Sequence, residues 1–149
     1  MKQVQRRIAL TLAILLTAAI APAQSGNWRA SSQSAKSITG DIAFGGDKVY
    51  LNFTGFIVAD IRTLTPAETA SLFEDATGPG TLFRTSIPAE KKFLHKSTLC
   101  GAEDTQWIVT YAAGKTLRLA FFSSSDMPIL TPEAVANNAN LCGTYTYVR

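Results

Sequence analysis

Short segments in which apolar and polar residues alternate recur along most of this chain, and a period of two commits it to building sheet. Val49, Leu51 and Phe53 alternate with Tyr50, Asn52 and Thr54, so an extended segment over 48–54 has one apolar and one polar face. Residues 37–44 are similar in character. The Gly45-Gly46-Asp47 connection joins the two segments as a hairpin. Gly55 reads as a bulge, after which 56–61 continues in extended form. The clearest hairpin lies further on, where 106–111 and 116–122, rich in β-branched and aromatic residues, flank Ala113-Gly114-Lys115. Residues 81–86 and 143–148 complete the set of strands.

Two short helices interrupt the pattern. Thr65-Pro66-Ala67-Glu68 supplies an N-cap, a proline at the first helical position and a glutamate three residues after the cap. That helix stops before Thr77-Gly78-Pro79-Gly80. Thr131-Pro132-Glu133 starts the second, and Asn137-Asn138 ends it. Six or seven short strands with two short helices predict a mainly antiparallel β-domain, a small barrel or a sandwich. Alternation alone does not choose between these two closures.

Cys100 and Cys142 are the two cysteines, and each sits in a Leu-Cys-Gly tripeptide. What they do depends on compartment. Lys2, Arg6 and Arg7 precede an apolar run over 8–16 that is short for a membrane span, and Ala21-Pro22-Ala23 follows. This is the layout of a secretory signal peptide over 1–23, cleaved between Ala23 and Gln24. No cysteine lies at that cleavage point to take a lipid, so the expected product is a soluble protein of a bacterial periplasm or secreted medium. In such an oxidising place an even pair of cysteines is expected to form a disulfide. Its 42-residue separation makes it worth about 4 kcal/mol in the chain-entropy treatment.

The leader also changes the charge. Its loss takes the 14 Lys+Arg of the chain to 11, equal to the 11 Asp+Glu, so a basic precursor becomes a neutral domain. Nucleic acid is therefore not an expected partner. No second apolar run suggests a membrane span in the mature chain. The Ser-rich segment over 24–36 reads as a flexible entry, and 37–149 as a single β-rich domain.

A catalytic set is hard to assemble from these residues. His95 is the one histidine, and its neighbours form no nucleophile motif. Glu103 and Asp104 are adjacent acids near Trp107 and could form a carboxylate pair of the glycosidase kind. A solvated turn is the commoner use of such a pair. The acidic positions lack the density of a calcium loop, and no glycine-rich phosphate loop occurs. Neither a metal nor an organic cofactor is expected.

The stretch over 82–100, then Trp107-Ile108-Val109, Leu119-Ala120-Phe121-Phe122 and the terminal Leu141-Cys142-Gly143-Thr144-Tyr145-Thr146-Tyr147, resembles a group of small exported bacterial proteins without assigned function. The resemblance implies that both Leu-Cys-Gly tripeptides and their aromatic strands belong to one folded unit.

These observations favour a non-enzymatic binding protein of the cell envelope over a small periplasmic hydrolase using Glu103, Asp104 or His95. An envelope protein or glycan, or a small apolar ligand, is the expected partner. The polar excursion Ser123-Ser124-Ser125-Asp126-Met127 is the candidate binding loop. Oligomeric state is not legible in the pattern.

Overall fold

A computed structural model describes residues 24–149. Eight antiparallel strands close into a barrel in simple chain order: β1 (Gly26–Ala30), β2 (Ile42–Gly45), β3 (Lys48–Leu51), β4 (Thr54–Thr63), β5 (Thr81–Ile87), β6 (Thr105–Ala113), β7 (Thr116–Phe122) and β8 (Leu141–Val148). Of the two expected closures the barrel is the one that forms. Eight strands enclose an interior that side chains can just fill. Trp28, Phe44, Leu51, Phe83, Leu119, Phe121, Tyr145 and Tyr147 fill it here. The Phe121 and Tyr145 rings meet edge to face, with centroids 5.0 Å apart.

Half of the outer wall is also covered. Helices α1 (Pro66–Leu72) and α2 (Pro132–Ala136) and their flanking loops lie over β5, β6 and β7, where Leu64, Phe73, Leu82, Trp107, Phe122 and Leu130 form a second apolar cluster. Burial on both faces explains why Leu119-Ala120-Phe121-Phe122 is a continuous apolar run. Helix α1 begins with the capping box read from the sequence. Thr65 Oγ1 accepts from the Glu68 N–H at 3.2 Å, and the Glu68 carboxylate accepts from the Thr65 N–H at 2.9 Å. Close packing in this layer needs Gly80, since a Cβ there would stand 2.6 Å from the Thr110 carbonyl oxygen.

Cys100 and Cys142 are joined, with Cα atoms 5.0 Å apart. The bond ties the connection between β5 and β6 to the start of β8, and both half-cystines pack against the barrel interior. Among the described residues no helix is long and apolar enough to cross a membrane. The expected leader and Ala23 lie outside the described residues, whereas Gln24 lies within them.

Three boundaries differ from the sequence reading. The segment 24–36, expected as a flexible entry, supplies β1, and its Trp28 is 1% exposed in the barrel interior. The folded unit therefore begins before Ser37. Residues 37–39 belong to a helical turn, Ala35–Thr39. Thr39 is drawn into the core, where its hydroxyl meets the Tyr147 hydroxyl at 2.7 Å. Finally, β3 stops at Leu51, and Asn52-Phe53 is the turn of a two-residue hairpin, with Leu51 opposite Thr54. The register irregularity of β4 falls between Asp60 and Arg62 rather than at Gly55.

Candidate functional site: a cleft on the uncovered wall

Among the described residues no helix lies over the wall formed by β1 to β4, and its outward side chains are largely exposed. On β1, Asn27 and Arg29 flank inward Trp28; on β2, Ala43 lies between inward Ile42 and Phe44; on β3, Tyr50 lies between inward Val49 and Leu51. Strand register then places residues far apart in sequence side by side. Asn27 is opposite Ala43, Ala43 opposite Tyr50, and Tyr50 opposite Gly55. Small residues on both sides of Tyr50 leave room for its ring. A Cβ on Gly55 would lie 3.0 Å from Tyr50 Cε1, so the ring lies across the glycine.

A cleft of about 420 Å³ opens over this row. It is lined by Asn27, Arg29, Asp41, Ala43, Tyr50 and Phe53, with Val148 and Arg149 on the far side and the edges of Trp28 and Ile42 beneath. The cleft overlies the place where β1 changes partner. Gly26, Asn27 and Trp28 pair with β2, and just Arg29 and Ala30 pair with β8.

Phe53 stands at the mouth of the cleft, fully exposed (100%), with φ +64°. Asn52 before it has φ +47°. Two positive φ values match the twist of a tight hairpin, and asparagine tolerates that region whereas a bulky side chain is strained there. Burial does not compensate for the strain at Phe53.

Polar groups around the cleft are unequally engaged. Asp41 Oδ1 accepts from the Ala30 N–H at 2.9 Å, which fixes the acidic side chain of the lining. The Arg149 guanidinium lies 4.2 Å from the centroid of the Trp28 ring and donates to the Ser25 carbonyl at 3.0 Å. Trp28 Nε1 in turn donates to the Gln24 carbonyl at 2.8 Å. Arg29 is exposed, and among the described residues it forms neither an ion pair nor a stacking contact. The other arginines of the outer wall differ. Arg62 is bidentate to Glu68, Arg118 pairs with Asp75, and Arg84 lies over Trp107 while donating to Gln106.

Two further depressions are less suited to holding a ligand. One of about 400 Å³ beside α1 contains the Arg118–Asp75 pair, whose charges are already matched. Another of about 540 Å³ runs along β4 and β5 past Ile57 and Ala59, and its one charged group, Arg84, is engaged as described.

The sequence-derived candidates lie elsewhere. Ser123, Ser124 and Ser125 offer their carbonyls to Gln106 Nε2, Trp107 Nε1 and Arg84 Nη1 at 2.9, 2.9 and 3.4 Å. Pro128 and Leu130 beyond them are buried. The excursion is thus strapped to the wall, leaving Asp126 and Met127 exposed. Asp104 Oδ1 accepts from the Ala89 N–H at 2.8 Å, and His95 Nδ1 lies 3.0 Å from the Ser37 carbonyl oxygen. No hydrogen bond among the described residues joins His95 to Glu103 or Asp104, and none of the three lines the cleft. Among the described residues no group of three His, Cys, Asp or Glu could hold a metal ion. What the cleft lining can do is seat an apolar body and bind charge at its rim.

The chain matches no family model, no curated protein and no solved structure. The site therefore rests on its own geometry. Reading residues singly misses it, because the row from Asn27 to Gly55 exists only once four strands are in register.

Proposed function

We propose that this chain is an exported, non-enzymatic binding protein of the bacterial cell envelope, and that its ligand occupies the cleft on the wall of β1 to β3. Phe53 carries this reading: a fully exposed aromatic ring is held in a left-handed conformation at the mouth of an apolar cleft. Exposed aromatic anchors beside concave apolar surface are the usual means of non-covalent recognition, and strained backbone concentrates at such sites. Export with a disulfide-tied barrel fits a rigid binding scaffold. The excursion over 123–127 serves instead as a cover for the wall around Trp107.

Crystals soaked in small organic solvents, isopropanol and phenol in turn, test the location. Both solvents are expected to collect between Tyr50 and Phe53. Clustering over β4 and β5 or at Met127, with the cleft left to water, would sink the proposal.

A further inference from the structure

The unmatched cation of the cleft points to the chemistry of its ligand. We infer that the cleft takes an amphipathic organic anion, with its apolar body against Tyr50, Phe53 and Val148 and its carboxylate or phosphate head on the Arg29 guanidinium. This rests on the reading of the cleft as a binding site and adds the ligand class.

Arg29 favours an anion. Its guanidinium has no ion pair or hydrogen bond among the described residues, and the acidic side chain of the lining, Asp41, has its Oδ1 held by the Ala30 N–H. A cationic ligand would meet the Arg29 guanidinium as like charge. A neutral one would leave the Arg29 fork without the bidentate partner that it is shaped to take. Arg62, Arg84 and Arg118 each have a protein group to bind, so among the described residues the fork of Arg29, unengaged beside an apolar cleft, departs from the other strand arginines of the outer surface. The backbone of Arg29 is paired opposite Val148 on β8, which places the root of its side chain beside the apolar wall.

The volume sets a scale for the part of the body that the cleft holds: about 420 Å³ is comparable with a ten-carbon acid at roughly 30 Å³ per water-sized group. Tyr50 and Phe53 supply the aromatic surface, and Ala43 keeps the floor low enough for a chain to pass.

Decanoate, decanol and decyltrimethylammonium share a chain and differ in head charge. Titrated into the oxidised protein and followed by calorimetry and by tryptophan fluorescence, with Trp107→Phe isolating the signal of Trp28, decanoate is expected to bind saturably, one per chain, at least about tenfold more tightly than decanol. Arg29→Gln should reduce decanoate to the level of decanol, and Phe53→Gly should weaken both ligands, with thermal melts confirming that each variant folds. Equal binding of decanoate and decanol to the wild-type protein overturns the anionic assignment while leaving the cleft as the site. Failure of both ligands to bind overturns the site as well. A third arm uses phosphatidylglycerol vesicles. Sedimentation with these vesicles in the absence of binding to dispersed decanoate would place the anion in a membrane surface and overturn a ligand of cleft size.

Discussion

Phe53 is a residue whose conformation the fold strains without burying its ring. Its φ of +64° would suit glycine, and its ring has full solvent exposure. Phe53→Gly is therefore expected to raise stability by about 1 kcal/mol, the strain of one left-handed non-glycine residue. The denaturant midpoint should rise with an unchanged slope, while ligand binding falls; a lower midpoint would show that the ring supports the fold. Tyr145 and Tyr147 make the opposite case, since burial raises the hydroxyl of Tyr145 to about 12 and that of Tyr147 further. Their neutral forms are favoured by folding. The stability they confer is complete below pH 10, where the unfolded phenol begins to ionise, and declines as pH rises from 10 towards 12. Unfolding free energies measured between pH 8 and 11.5 should fall over that window, and Tyr145→Phe should flatten the decline.

At the scale of elements, α1 shows how a short helix is fixed by its first turn. Seven residues are too few to be stable alone. The Thr65–Glu68 capping box and the buried Phe73 behind it supply what length does not. Thr65→Ala should cost about 1 kcal/mol, detectable as a lower melting temperature. The Arg62 guanidinium, and after it the Thr65 N–H, holds the Glu68 carboxyl down at about 2. Stability linked to this group is complete above about pH 4.5 and is lost as pH falls towards 2. The pair is partly exposed, so the loss is about 1 kcal/mol or less. Glu68→Gln should remove that slope from an acid titration of stability. These elements were legible because their signals are local: the cap needs Thr65, Pro66 and Glu68, and the β6–β7 hairpin needs Gly114 at φ +57°. Strand β1 was not legible. It has one buried ring among polar residues, and Trp28 belongs to the core because β2 and β8 pair on either side of it. The Asn52-Phe53 turn was hidden for a related reason, since its Phe continues the alternation of Val49 and Leu51.

On the scale of the whole molecule, a filled barrel with one helix-covered side presents the cleft on its other wall. The cleft was not legible because cross-strand register brings Asn27, Ala43, Tyr50 and Gly55 together, and a single sequence carries no statement of register. The disulfide was legible from two cysteines and an inferred compartment. It closes a loop of 42 residues and should contribute about 4 kcal/mol. A Cys100→Ser/Cys142→Ser variant should show a denaturant midpoint lowered by that amount divided by the slope. It should still bind ligand under native conditions, because neither half-cystine lines the cleft. The most direct test of the account is a map of amide shifts in the ¹⁵N-labelled protein during titration with decanoate. Shifts centred on Asn27, Arg29, Ala43, Tyr50 and Phe53 are the predicted result, and shifts centred on 123–127, or none at saturating ligand, would contradict it.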